Sequence, residues 1–187
     1  MKYLVVGLGN IGAEYADTRH NIGFKVLDAL AAASDTSFIS ARYGAVAELR
    51  HRGHQITLLK PATYMNLSGK AVRYWLQELK IDRKNLLVVV DDIALPFGEL
   101  RMRNRGSAGG HNGLKNINEL LGTEDYARMR FGIGGDFARG HQVDYVLGEW
   151  SADEREMMPE RLKVFGEAIL SFVAIGADRT MNLFNKK

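Results

Sequence analysis

His20 and Asp91 are the two residues whose types and positions best suit acid–base chemistry. His20 stands at the end of a loop, directly before a predicted helix, and Asp91 directly follows the apolar run Leu86–Val90. An imidazole with its ordinary pKa of about 6.5 can accept a proton near neutral pH. A carboxylate at the end of a buried strand can hold the other ring nitrogen in place. The pair predicts a general base oriented by Asp91, while a locally packed histidine and a solvated acid remain the alternatives from position alone.

Three asparagines, Asn10, Asn66 and Asn112, each lie in a loop that follows a predicted strand or opens a predicted helix. Taken singly, each is typical of a turn or a helix cap. Taken together, their amides could bind a carbonyl group, position a water molecule or stabilise an oxyanion without using a charge.

The segment Arg101-Met102-Arg103-Asn104-Arg105 is the only concentrated basic stretch of the sequence. In a strand, alternate residues point to the same face, so its three arginines would share one face. The Gly-rich segment 106–113 follows and opens a predicted helix, where backbone N–H groups can form an anion site. This arrangement favours phosphate binding over the alternative of a solvated sheet edge.

Several other chemistries are excluded or weakly indicated. The chain has no cysteine, which removes disulfides, thiolate zinc sites and cysteine nucleophiles. No acidic or histidine cluster has metal-ligand spacing, and His51 and His54 are expected to be solvated beside a hairpin turn. The segment Gly7–Gly12 matches the glycine pattern of dinucleotide sites, but no helix is predicted to open at those glycines. We therefore predict no metal and no cofactor, with a nucleotide-dependent oxidoreductase kept as a minor alternative.

Composition is that of an ordinary globular protein: 187 residues, 46% hydrophobic and 25% charged. The net charge of +3 is too small to identify a nucleic-acid binder by itself. No apolar run approaches the roughly 18 residues of a membrane span, and the N-terminal apolar stretch is interrupted too early for a secretory signal. A cytoplasmic protein without a membrane partner is expected.

The elements that must position these residues alternate between strands and helices. Apolar patterns predict strands near 3–8, 44–50, 55–60, 86–90, 100–103 and 128–133. They predict helices over about 21–33 and 111–121, one capped by Ser68, and a long one opened by a capping box at Ser151. Such alternation indicates a single α/β domain over 1–187 with a mostly parallel or mixed sheet. The irregular segments 7–21, 61–69, 91–98 and 105–113 follow predicted strands, which suggests one shared crevice at the carboxyl edge of the sheet.

Blocks of sequence along nearly the whole chain resemble bacterial-type peptidyl-tRNA hydrolases. In family order they are Val6–Asn10, Tyr15, Thr18–Gly23, Lys60–Gly69, Gly106–Lys115, Arg128–Gly134 and Asp144–Gly148. The resemblance implies a monomeric α/β domain with a twisted mixed sheet, largely parallel and flanked by helices. It also implies metal-independent hydrolysis of the ester that joins a peptide to the 3′ ribose of tRNA, so that the partner is peptidyl-tRNA.

The resemblance assigns roles to individual positions. The catalytic histidine falls on His20 and its aspartate partner on Asp91. The substrate-binding residues fall on Asn10, Tyr15, Met65, Asn66 and Asn112, and the clamp on the tRNA 5′ phosphate falls on Arg101, Arg103 and Arg130. The first two clamp positions are commonly lysine in the family, and many relatives carry an acid where this chain has Ala94. A non-enzymatic RNA-binding protein on the same fold is the competing class.

Overall fold

A computed structural model describes residues 1–185 and contains one seven-stranded mixed sheet with helices on both faces. The strands are β1 (Lys2–Gly7), β2 (Ile39–Ala41), β3 (Gly44–His51), β4 (His54–Pro61), β5 (Leu86–Asp92), β6 (Leu100–Arg103) and β7 (Ala127–Gly132). The helices are α1 (Ile22–Ala33), α2 (Ser68–Glu78), α3 (Asn112–Leu121), α4 (Gln142–Val146), α5 (Ala152–Ile175) and α6 (Ala177–Phe184). The predicted α/β class and mixed sheet are confirmed.

The strand order is β2-β3-β4-β1-β5-β7-β6. Strands β4, β1, β5 and β7 run parallel to one another, whereas β2 and β3 on one side and β6 on the other are joined by antiparallel pairing. The four parallel strands therefore end at one edge, and the loops that follow β1, β5 and β4 meet there.

Both faces of the central strands β1 and β5 are buried because the residues in the middle of each strand are apolar. On one face, Val5 and Val89 pack against helices α1 and α5. On the other face, Val6 and Val88 pack against α2 and α3. Full burial of such a side chain contributes about 1.5–3 kcal/mol, so this double-sided core fixes the strand ends that carry the polar loops.

Two glycines allow helix α1 to begin against the end of β1. A Cβ atom on Gly7 would lie 2.2 Å from the carbonyl oxygen of Gly23, and one on Gly23 would lie 2.5 Å from the backbone nitrogen of Leu8. Any side chain at either position would force the helix and the strand apart. This close contact holds the start of α1, and with it His20, at the carboxyl edge of the sheet.

Most predicted elements are confirmed within a residue or two, and the capping box at Ser151 forms both of its hydrogen bonds. The predicted cap at Ser68 is wrong: Ser68 lies inside α2, and its hydroxyl donates to the carbonyl oxygen of Met65 instead. Strand β2 and helices α4 and α6 were not predicted. Within residues 1–185, none of the helices combines the length and hydropathy that a membrane span requires.

Candidate active site

The loop that carries His20 is fastened to the segment between α4 and α5. The backbone N–H of Arg19 donates to the carbonyl oxygen of Gly148. The Arg19 guanidinium donates to the carbonyl oxygen of Tyr145 at 3.2 Å, pairs with Glu154 at 3.3 Å and lies 4.2 Å from the centre of the Tyr145 ring. These contacts fix the single turn Arg19–Asn21 and therefore the direction of the His20 side chain.

His20 and Asp91 form the hydrogen bond that the sequence suggests. Nδ1 of His20 lies 2.8 Å from Oδ2 of Asp91, which is 5% exposed near the end of β5. Nε2 of His20 has no hydrogen-bond partner among residues 1–185, and the ring lines a crevice of about 490 Å³. With its proton on Nδ1, the ring presents an unprotonated Nε2 to this crevice.

His111 makes a second hydrogen bond to the same carboxylate and was not singled out from the sequence. Its Nε2 lies 2.8 Å from Oδ1 of Asp91. Its Nδ1 accepts from the backbone N–H groups of Gly113 and Leu114, at 3.1 and 3.3 Å, and so caps helix α3. A nitrogen that accepts carries no proton, so His111 donates from Nε2 to Asp91. The expected anion site at this helix start is thus wrong for these two N–H groups, because His111 already occupies them.

The Asp91 carboxylate is held in its charged form. Burial alone would raise the pKa of Asp91, but the charges and hydrogen bonds of His111 and His20 outweigh burial and lower it well below its ordinary range. Asp91 is therefore an anion at neutral pH and can accept from both rings.

The same three side chains are the residues through which a metal ion could bind. The ligand atoms of His20, Asp91 and His111 lie within 4.8 Å of one another. However, each carboxylate oxygen is at hydrogen-bonding distance from an imidazole nitrogen, and Nδ1 of His111 is used by the helix. Hydrogen bonding accounts for the geometry, and a metal would have to replace these bonds.

Hydrogen bonds hold both the side chain and the backbone of Asn10. Its Oδ1 accepts from the backbone N–H of Met65 at 2.8 Å. Its own backbone N–H and carbonyl group bind the side chain of Asn21 at 2.8 and 2.9 Å. The amide nitrogen Nδ2 of Asn10 is left without a partner within the described part of the chain, so it can donate into the crevice. Asn21, which is 2% exposed, supports this arrangement and was not predicted.

The predicted substrate-binding residues lie at different depths around the crevice. Asn10 and Asn112 line it, together with His20, Asp91 and Arg130. Asn66 is exposed and faces a neighbouring pocket of about 290 Å³ that also contains Asn112. Met65 is buried beneath the crevice and packs near Gly113. Tyr15 is half-buried in the loop after β1 and is not among the residues that line the crevice.

The arginines of β6 and β7 occupy one face of the sheet edge. Arg101 pairs in register with Arg130, and Arg103 pairs with Arg128, which places all four on the same face. Arg103 is exposed, whereas Arg101 forms an ion pair with Glu99 at 3.0 Å. Strand β6 ends at Arg103, as predicted, so Arg105 lies beyond the strand.

Two of these arginines hold the Gly-rich loop in place. Arg128 is fully buried and donates to the carbonyl oxygen of Gly106 at 2.7 Å. Arg130 donates to the carbonyl oxygen of Ser107 at 3.2 Å and lies 3.5 Å from a carboxylate oxygen of Asp92. Arg130 also lines the crevice, beside Asp92. It therefore connects the His20 site with the basic face, which is the face of β6 and β7 that carries these arginines.

Comparison with known proteins assigns this chain to a family. The family model described as peptidyl-tRNA hydrolase matches residues 4–187. The peptidyl-tRNA hydrolase of Bacteroides fragilis is 59% identical over the full length of both chains, and that of Porphyromonas gingivalis is 56% identical over 99% of this chain and 100% of the relative. A crystal structure of peptidyl-tRNA hydrolase from Acinetobacter baumannii superposes with a TM-score of 0.91 at 31% identity, covering 98% of this chain and 94% of that one. This chain belongs to the peptidyl-tRNA hydrolase family of hydrolases.

Proposed function

We propose that this enzyme hydrolyses the ester between a peptide, or an N-blocked aminoacyl group, and the 3′ ribose of tRNA, with His20 as the general base. The observation that carries the mechanism is the 2.8 Å hydrogen bond between Nδ1 of His20 and Asp91, which leaves Nε2 free at the crevice. The family membership supports the overall activity, and the geometry supports the roles of these two residues.

In the proposed reaction, Nε2 of His20 takes a proton from water as the water oxygen attacks the ester carbonyl carbon. The tetrahedral intermediate then loses the ribose oxygen, which receives the proton back from His20. The products are a peptide with a free carboxyl group and tRNA with a free ribose hydroxyl. Asp91 stays ionised and stabilises the protonated ring. General-base assistance of this kind contributes roughly 10²–10⁴-fold to the rate.

The asparagines are proposed to bind the reacting acyl group. Nδ2 of Asn10 is aimed by the backbone of Met65, so it can donate to a carbonyl oxygen or to the oxyanion that forms from it. Asn112 shares the crevice with His20, and Asn66 lies in the neighbouring pocket beside Asn112. Tyr15 is proposed to join them from the loop after β1. We assign Met65 to this group through its backbone N–H, which orients Asn10.

The basic face of β6 and β7 is proposed to bind the 5′ phosphate of tRNA through Arg101, Arg103 and Arg130. Arg130 is suited to connect the phosphate to the catalytic residues because it lines the crevice itself. We further propose that the protein acts as a monomer on peptidyl-tRNA in the cytoplasm.

The proposal is tested by release of free tRNA from N-acetyl-aminoacyl-tRNA in the presence of a metal chelator. Turnover that persists with chelator is the expected result. Binding of tRNA without any release would contradict the proposal and would favour the RNA-binding alternative.

A further inference from the structure

Asn185, which follows helix α6, binds the outer edge of strand β6. Its side-chain Oδ1 accepts from the backbone N–H of Met102 at 2.7 Å, and its Nδ2 donates to the carbonyl oxygen of Met102 at 3.1 Å. Strand β6 is the last strand of the sheet order, with β7 as its neighbour on the other side. Asn185 therefore satisfies both backbone groups of Met102, as a neighbouring strand would.

Met102 lies between the two arginines of β6 that are proposed to bind phosphate. Its own side chain is fully buried in the core, so the side chains of Arg101 and Arg103 point to the opposite, basic face. Nη1 of the Arg103 guanidinium also donates to the carbonyl oxygen of Met102, at 3.2 Å. Asn185 and Arg103 thus bind the same carbonyl group, and the position of that group helps to set where the guanidinium lies.

Asn185 is itself held in place by helix α6. Its backbone N–H donates to the carbonyl oxygen of Met181 at 3.0 Å, in the last turn of the helix. The hydroxyl oxygen of Thr180, which is fully buried, lies 2.8 Å from that of Ser171 on helix α5. Helix α6 also packs against both α5 and β6. These contacts present the Asn185 amide to β6 from a fixed position.

The Arg103 side chain keeps donors available for a phosphate. It is exposed, and its other N–H groups have no hydrogen-bond partner among residues 1–185. A guanidinium that is already held by a backbone carbonyl loses less conformational freedom on binding than an unrestrained one does. An asparagine that merely covered the edge of a strand would affect stability and leave phosphate binding unchanged, so the two roles differ in a measurable way.

We infer that Asn185 is a positioning residue of the proposed phosphate clamp: it fixes the Met102 peptide group and, through it, the Arg103 guanidinium. The inference rests on the proposed function, since the clamp is part of that function. Its consequence is that loss of the Asn185 side chain weakens recognition of the 5′ phosphate of tRNA and leaves ester hydrolysis itself unimpaired.

The test measures KM and kcat on N-acetyl-aminoacyl-tRNA with and without its 5′ phosphate. Asn185→Leu keeps the approximate size of the side chain and removes both hydrogen bonds to Met102. Asn182→Leu, the same substitution at an exposed position of α6 with no side-chain hydrogen bond among residues 1–185, is the matched control. We expect KM without the phosphate, divided by KM with it, to fall about threefold in Asn185→Leu and to stay unchanged in the control, with kcat unchanged in both.

A double variant tests whether Asn185 acts through Arg103. In the Arg103→Ala background, Asn185→Leu should lower the KM ratio by less than it does in the parent enzyme, because the guanidinium is already absent. The same fall in both backgrounds would overturn the inference.

Should Asn185→Leu fail to fold, Asn185→Ala removes the same two bonds without adding an apolar group. An unchanged KM ratio in a folded Asn185 variant would overturn the inference, and so would a parent enzyme with no preference for the phosphate. Failure of the parent enzyme to release tRNA would instead refute the proposed hydrolysis. The ratio of Kd values for uncharged tRNA without and with its 5′ phosphate then tests the inference independently of turnover.

Discussion

Asp91 and His111 are joined by a 2.8 Å hydrogen bond to Oδ1, the carboxylate oxygen that His20 does not use. Because the other ring nitrogen of His111 caps helix α3, the position of this donor is set by a helix terminus. Both oxygens of Asp91 are thereby fixed, and the oxygen that faces His20 cannot rotate away without breaking the bond to His111. We propose that His111 positions Asp91, although its ring also lines the crevice.

Replacing His111 separates this role from the helix cap. Asn is a good N-cap residue, so His111→Asn should keep α3 capped. Its side chain is too short to hydrogen-bond Asp91 as His111 does. We expect kcat to fall about tenfold, or about 1.4 kcal/mol of transition-state stabilisation, with a small change in KM and in unfolding temperature. His111→Ala, which lacks the cap as well, should lose about 1 kcal/mol more of unfolding free energy. An unchanged kcat in His111→Asn would reduce His111 to a cap.

Asp91→Asn should slow hydrolysis less than loss of His20 does. The imidazole remains, but the amide cannot accept from both histidines and carries no charge to stabilise the protonated ring. The measurement is kcat and its pH profile on N-acetyl-aminoacyl-tRNA. Asp92→Asn is the matched control; because Asp92 faces Arg130 at 3.5 Å, any effect there should appear in KM. If both variants kept the parent kcat and profile, Asp91 would be only structural.

Arg103→Ala should weaken binding without impairing chemistry. Arg103 is exposed on the basic face and has no contact with the His20 site, so KM should rise more than kcat falls. Each lost phosphate contact should also flatten the dependence of log affinity on log salt by roughly 0.7–0.9.

Substrate without its 5′ phosphate gives the sharper test of the clamp. Removal of the phosphate should weaken binding to the parent enzyme and have much less effect on Arg103→Ala, because the contact is already absent there. Equal losses in both proteins would place the phosphate elsewhere.

The sequence allowed the strand ends, the α/β class and the pair His20 and Asp91 to be predicted, because apolar runs and the polar residues that end them are local signals. The roles of His111 and Asn21 could not be predicted in the same way. Each depends on a partner distant in sequence, Asp91 for His111 and Asn10 for Asn21. The only local sign of His111 was its place at the start of the predicted helix 111–121, which suggests a cap and gives no hint of its second bond.

Charge patterns were also only partly informative. Alternation correctly put Arg101 and Arg103 on one face, but it could not show that Arg128 of the paired strand would be fully buried. Arg128 is tolerated there because backbone carbonyl groups, including that of Gly106, accept from its guanidinium. Such acceptors come from a loop whose shape the sequence does not specify.

The most direct test of the mechanism is kcat of His20→Ala for release of tRNA from N-acetyl-aminoacyl-tRNA, with chelator present and folding checked by circular dichroism. His51→Ala, at the far end of β3, controls for loss of a histidine. A general base at position 20 predicts that kcat falls about 10²-fold or more, that KM changes little and that the control is unaffected. Hydrolysis at nearly the parent rate by well-folded His20→Ala would contradict the mechanism.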